Sequence, residues 1–427
     1  MSLYSIAAVF VLAGAATAKV STNITVPVSV SAAVDIFDIA PIISNADATA
    51  FIQNLTRQGN NLTTAAFVEA ENISGMYNIS TQFCMPSSDP PEHPTLQILT
   101  HEVGFDRTYW DLAYDGFNYS YIDVATDEQK YLTLSYDSLG IGNSTHGDPV
   151  NEIQADKVIH VGHSFGSVQT YGLPDAFHTL SDGIVLTGFS LNSSFMPLFL
   201  IGGNFVQANL NQPFRFGSIL PSSGSTTEEV AAAFRKPLDH AKVEDILAEY
   251  DLIDYVAGLE DPEERVAYAD GYITNSNTGA NQFLFFGPSG RYDPGIVIYA
   301  EETKQAIAPG EFLTLGGSSS ASAFAGPVLV LTGSNDLPFC GGDCYATGNP
   351  KLPSIPAAVV EAFPKVPTGD FAAIIQPETG HGINLHYNAT GAYNVIGDFL
   401  AAKGLASTYA KVPRWSCTEC KISQESV

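Results

Sequence analysis

Short, fully apolar runs recur along this chain at helix-sized intervals. Residues 95–100 (TLQILT), 131–136 (YLTLSY), 158–161, 183–189 (GIVLTGF), 328–332 (VLVLT) and 372–376 (AAIIQ) each read as a buried strand. Residues 75–85 (GMYNISTQFCM) alternate like a strand that the proline-rich stretch 86–94 then breaks. Apolar strands spaced by helices predict a mostly parallel central sheet covered on both faces, an α/β architecture. Two regions leave this rhythm. Residues 20–64 are polar and without a strong period, so 19–74 are expected to form an extended N-terminal arm. Residues 191–325 interrupt the sheet and predict a helical cap. Thr226 and Glu229 make a capping pattern for a helix over 226–235, and 243–259 have helical periodicity. The interval is also rich in Phe195, Met196, Phe199, Phe205, Phe214 and Phe216, which serve as core or line an apolar pocket over a site.

Composition narrows the setting. At 427 residues the chain can bury a large core, and 18 Lys+Arg against 45 Asp+Glu give a net charge of −27. With no basic run, nucleic acid and anionic membrane surfaces are not expected as partners. Residues 1–18 have an apolar core over 6–12 and end in Ala16-Thr17-Ala18, a small-x-small cleavage pattern. No Lys or Arg stands among the first five residues, but the apolar run is too short to span a membrane. A secretory signal peptide and no stable membrane anchor are therefore expected. Export agrees with the glycosylation sequons at Asn23, Asn54, Asn61, Asn72, Asn78, Asn118, Asn143, Asn192 and Asn388. Cys84, Cys340, Cys344, Cys417 and Cys420 then predict two disulfides and one leftover thiol. Zinc on Cys417 and Cys420 is a poor alternative without a second ligand pair.

The chemistry-bearing stretch is Gly162-His163-Ser164-Phe165-Gly166, entered by a β-branched run and left toward a helix. A serine on a sharp strand-to-helix turn needs glycines beside it, stands out of the sheet, and has an N–H after it to receive an oxyanion. Ser164 is the expected nucleophile. It needs a base and an orienting carboxylate. Asp336 follows the 328–332 strand and His381 follows the 372–376 strand, so both stand at the carboxyl edge where Ser164 stands. His386 and His163 are rivals for the base, and Asp343 for the acid, but none has the strand-end position. A disulfide between Cys340 and Cys344 would stiffen the loop after Asp336; pairing with a distant cysteine stays open.

Taken together, these residues resemble secreted fungal members of the α/β-hydrolase superfamily, with esterase and lipase relatives. The resemblance spans roughly 75–400. It rests on the strand before His101-Glu102-Val103-Gly104-Phe105-Asp106, the D-x-x-G-x-G-x-S run from Asp137 to Ser144, the Ser164 turn, and the strand ends at Asp336 and His381. It implies an α/β-hydrolase fold with core segments 75–190 and 326–410, a cap over 191–325 and a tail over 411–427. It also implies an oxyanion hole from the backbone N–H of Phe165 and Val103, and a substrate pocket touching Phe195, Met196 and Phe199. The expected activity is hydrolysis of a carboxylic ester or lactone of an apolar small molecule, with no metal or cofactor. Alternatives are a non-hydrolytic acyl transfer in secondary metabolism or a catalytically impaired homologue. Two departures favour impairment. Glu102 stands where relatives have glycine, and its charge would oppose an oxyanion if it pointed inward. Only 13 residues, 145–157, cross between two strands where the family places a full helix, which predicts a deleted exon-like segment or a weakened domain.

Overall fold

The computed structural model describes residues 19–88, 91, 94–146, 160–176, 181–213, 215–217, 267–288, 290–314 and 322–406. The expected signal peptide, most of the short crossover, the helices over 226–235 and 243–259, Phe214, Cys417 and Cys420 lie outside these residues.

The chain opens with β1 (Val20–Phe37), followed by α1 (Asn45–Thr56), α2 (Leu62–Ala66) and β2 (Phe67–Met85). Then come β3 (Leu96–Thr100), β4 (Leu132–Tyr136), β5 (His160–His163), α3 (Phe165–Ala176) and β6 (Ile184–Thr187). The inserted region contributes α4 (Met196–Gly202), the two-residue strands β7 (Val206–Gln207) and β8 (Ile273–Thr274), α5 (Pro294–Thr303) and α6 (Pro309–Thr314). β9 (Val328–Gly333), β10 (Phe371–Gln376) and α7 (Ala389–Ala402) complete the body. The main sheet has the order β1-β2-β4-β3-β5-β6-β9-β10, antiparallel at β1–β2 and β2–β4 and parallel from β4 to β10. Every position of β6 and β9 is buried, which is why these strands read as unbroken apolar runs rather than alternating ones. This strand order, flanked by helices and with an insertion between β6 and β9, is the α/β-hydrolase fold.

The N-terminal region departs from the expected arm. Residues 20–37 are an edge strand of the main sheet, zipped to β2 along its whole length. β2 reaches β4 only through Thr81–Cys84, so the rest of the hairpin runs on beyond the sheet. Between its strands, α1 buries Ala48, Phe51 and Ile52 in the main core. The Asn45 side chain accepts from the N–H of Gln207, and the Thr63 hydroxyl donates to the Leu313 carbonyl, tying this segment to the inserted region. No described helix is long and apolar enough to cross a membrane. One disulfide is described, Cys340–Cys344, and Cys84 is a buried free thiol, so among the described cysteines a single pair forms.

Candidate active site

Ser164 sits at the turn from β5 into α3 with φ of 54°, the left-handed region a side chain rarely adopts. Two glycines make that turn fit. A Cβ on Gly162 would lie 2.2 Å from the Gly166 carbonyl oxygen, and one on Gly166 would lie 2.6 Å from the carbonyl oxygens of Thr100 and His101. The turn is pinned from both sides. Ser164 N–H donates to the Thr187 carbonyl at 2.9 Å, and the Ser164 carbonyl accepts from Ser167 and Val168 N–H as the helix begins.

Asp336 follows β9 and caps the short helix Leu337–Cys340, its Oδ1 accepting from Phe339 N–H at 2.9 Å. Its second oxygen, Oδ2, is 2.6 Å from His381 Nδ1, and His381 Nε2 is 2.6 Å from Ser164 Oγ. The loop carrying His381 is strapped to the inserted region, because Gly382 N–H donates to the Phe285 carbonyl. A Cβ on Gly333 would lie 2.2 Å from the Gly380 oxygen, so the strand end before Asp336 and the loop before His381 touch backbone to backbone. Ser164, His381 and Asp336 are thus brought together, each of them buried.

The rivals take other positions. His386 stands behind the loop: Nε2 accepts from Gly380 N–H, and Nδ1 donates to the Gly382 carbonyl. Asp343 is exposed and accepts from Tyr345 N–H within its own turn. His101 is structural too, with Nδ1 donating to the Glu102 carbonyl and Nε2 accepting from Ser138 N–H. The Asp137–Ser144 motif is a brace: the Asp137 carboxylate binds Arg107, and a Cβ on Gly142 would strike Asp137 Oδ2 at 2.6 Å. Of the three expected pocket residues, Phe199 packs edge-on to the His381 ring with centroids 6.0 Å apart. Met196 is half-buried against the core. Phe195 lies over Gly341 in the Cys340–Cys344 turn, where a Cβ would meet its ring at 2.6 Å. Phe285 and Phe339 were not singled out from the sequence, yet their rings stand 6.3 and 5.9 Å from that of His381.

Glu102 is the residue whose direction no sequence pattern reveals. It points inward and is 1% exposed. Its Oε2 lies 3.4 Å from His381 Nε2 and its Oε1 lies 3.3 Å from His163 Nε2. His163, considered only as a rival base, stacks on Tyr109 at 4.8 Å and meets the Thr187 hydroxyl at 2.9 Å through Nδ1. Gly188 leaves room for both rings, since a Cβ there would lie 2.6 Å from His163 Cε1 and 3.2 Å from His381 Cε1.

The electrostatics follow from this crowding. Burial by itself pushes an imidazole down. For His381 the Asp336 carboxylate reverses that, and Glu102 adds to it, so its pKa is pushed up to about 10. For Glu102 burial pushes up, but His163 and then His381 outweigh it and hold the carboxyl at about 2. Standing between two carboxylates, His381 is biased toward its protonated form.

The expected oxyanion donors lie on elements that face each other. Phe165 begins α3, whose first N–H groups lack intrahelical partners, and Val103 is buried in the loop after β3 that packs on Gly166. Glu102, the neighbour of Val103 in that loop, turns its carboxylate to within 3.4 Å of His381 Nε2.

No protein-family model matches the chain, and no curated protein matches it. Among solved structures it is similar to a thermophilic esterase from Thermogutta terrifontis, with 13% identity over 77% of this chain and 94% of that one, and a TM-score of 0.42. It is also similar to the Cif epoxide hydrolase from Acinetobacter nosocomialis (13% identity, 86% and 98% covered, TM-score 0.40). An epoxide hydrolase mutant from Vigna radiata is a third (14% identity, 76% and 96% covered, TM-score 0.37). Likeness at this level carries no argument about chemistry, which has to come from the site itself.

Proposed function

We propose that the chain is a serine hydrolase that cleaves a carboxylic ester or lactone of an apolar small molecule. The observation that carries this reading is the unbroken relay from Ser164 Oγ to His381 Nε2 and from His381 Nδ1 to Asp336 Oδ2, each step 2.6 Å. When His381 is deprotonated at Nε2, it takes the Ser164 proton as Oγ attacks the carbonyl carbon. Asp336 holds the ring with Nδ1–H and stabilises the imidazolium that forms. The N–H groups of Phe165 and Val103 receive the oxyanion. Collapse of the tetrahedral intermediate passes the proton from His381 to the departing alcohol, and water repeats the sequence on the acyl-serine. The apolar side of the substrate rests on the Phe199, Phe285 and Phe339 rings around His381.

Glu102 favours a second reading, a homologue that is silent at neutral pH. Its carboxylate stabilises the protonated base and opposes the oxyanion, so both effects slow the same step. The two readings separate in one experiment. A fluorophosphonate that labels Ser164 at pH 7, mapped by peptide mass spectrometry and lost in His381→Ala, supports the hydrolase, whereas label that appears only toward pH 10 supports the homologue silent at neutral pH. A folded chain that takes no label between pH 7 and pH 10 contradicts the hydrolase.

Secretion belongs to the same proposal. Of the nine sequon asparagines, all but the half-buried Asn192 are exposed, as glycan attachment requires. Intact mass of the secreted chain before and after deglycosylation, with N-terminal sequencing, tests both the glycans and cleavage before Lys19.

A further inference from the structure

We infer that Glu102, His163 and His381 form a binding site for a first-row divalent transition cation, Zn²⁺ in particular, and that the cation switches the centre off. The three side chains are fully buried, and their ligand atoms all lie within 4.8 Å of one another. Each imidazole has its own Glu102 oxygen beside it, Oε1 at 3.3 Å from His163 Nε2 and Oε2 at 3.4 Å from His381 Nε2, so the carboxylate stands between the two rings. Two imidazoles and one carboxylate are the donor set that suits zinc and its neighbours.

A second observation points to a cation independently of the spacing. Both Glu102 oxygens and His163 Nε2 are buried and lack a hydrogen bond of good geometry; what the carboxylate has instead is the longer ion-pair contacts, 3.3 Å to His163 Nε2 and 3.4 Å to His381 Nε2. Unsatisfied polar atoms in a sealed interior are costly and call for an explanation. The far side of each ring is already committed. The Thr187 hydroxyl donates to the Gly162 carbonyl at 2.9 Å, so it accepts from His163 Nδ1, which leaves Nε2 directed at Glu102. His381 Nδ1 is held by Asp336 in the same way. Oxygen acceptors behind the rings, with Nε2 turned toward a common point, are the outer shell that metal-binding histidines use.

The consequence for activity rests on the serine-hydrolase reading; the binding does not. A cation on His381 Nε2 occupies the lone pair that must take the Ser164 proton. Zinc would therefore suppress Ser164 reactivity, and a chelator would restore it.

The test uses the full, metal-free chain titrated with Zn²⁺ against a chromophoric chelator, alongside Glu102→Gln, His163→Gln and, as a surface control, Asp343→Asn. The wild type and Asp343→Asn should bind one equivalent that each of the other variants holds at least about 10-fold more weakly. Tetrahedral Co²⁺ absorption should appear in the wild type and fade in Glu102→Gln. Should His163→Gln fail to fold, the Glu102→Gln comparison decides alone. Binding that Glu102→Gln leaves undiminished, or no binding at all, overturns the site. Fluorophosphonate labelling with and without Zn²⁺ then reads the consequence. Labelling that zinc lowers in the wild type but not in Glu102→Gln supports the switch, whereas labelling unaffected by bound zinc overturns it. If Ser164 never labels, the hydrolase reading fails while the titration still decides the metal site.

Discussion

The turn that carries Ser164 and the loop that faces it, residues 101–106, meet backbone to backbone but are governed by different physics. In the turn, function is written into the main chain. Gly162 and Gly166 occupy places where a Cβ would collide with carbonyl oxygens at 2.2 and 2.6 Å, so the local sequence dictates the geometry. In the loop the main chain conforms as well, with His101 bonded to Ser138 and Gly104 at φ of 78°. There one side chain changes the chemistry. Glu102 reaches past its own loop to two histidines and sets the charge of the centre. Assembly of a site and readiness of a site are therefore separate properties of this molecule.

The largest expected effect tests the assembled half. Asp336→Asn keeps the shape and the cap on Phe339, but an amide facing Nδ1 leaves the proton on Nε2, the wrong tautomer for accepting from Ser164. Ester hydrolysis at the pH optimum should fall by about 10⁴-fold, and a loss below tenfold in steady-state kinetics would remove Asp336 from the relay.

Stability against pH sharpens the comparison from the other half. His381 has a folded pKa raised above its ordinary 6.5, so its contribution is complete below that value and is lost as pH rises toward about 10. Glu102 is lowered from 4.5, so its contribution is complete above 4.5 and is lost as pH falls toward about 2. From these two groups the melting temperature should peak between about pH 4.5 and 6.5 and decline on the alkaline side. In Glu102→Gln the alkaline decline should end at lower pH and be smaller in total, and unchanged curves in calorimetry would mean the carboxylate does not bear on His381.

Gly162→Ala attacks the main-chain half without touching any reacting group. Its methyl meets backbone rather than a flexible side chain, so chemical denaturation should show a loss of about 3 kcal/mol. A variant as stable as the parent would mean that the turn can widen. The smallest effect is expected from Cys340→Ser with Cys344→Ser, which opens a very short ring and should cost about 2 kcal/mol in the loop-closure model. Activity should survive, because Asp336 is also held by its cap on Phe339 and its bond to His381.

The sequence shows the strand ends clearly, and the positions of Ser164, Asp336 and His381 follow from them because carboxyl edges of parallel strands converge. β1 is harder to read. Ile24 and Val26 alternate with polar residues yet remain 44% and 37% exposed, and the partner strand lies a long way along the chain. An extended strand whose apolar residues stay exposed over 20–26 looks like an arm. The direction of Glu102 is not legible either. A glutamate beside the nucleophile can turn to solvent or inward, and the outcome depends on His163, Tyr109 and Gly188, brought together only by the fold. His163 likewise reads as an arbitrary position between two fixed ones until Thr187 and Glu102 surround it.

The central claim is that Ser164 is assembled for attack but restrained by Glu102 through His381. Its most direct test is the rate of fluorophosphonate labelling of Ser164 from pH 6 to pH 11, in the wild type and in Glu102→Gln. The wild-type rate should climb with pH toward a midpoint near 10. In Glu102→Gln the midpoint should move down, and each unit of that shift should raise the rate at pH 7 about tenfold. Superimposable profiles for the two proteins would contradict the account.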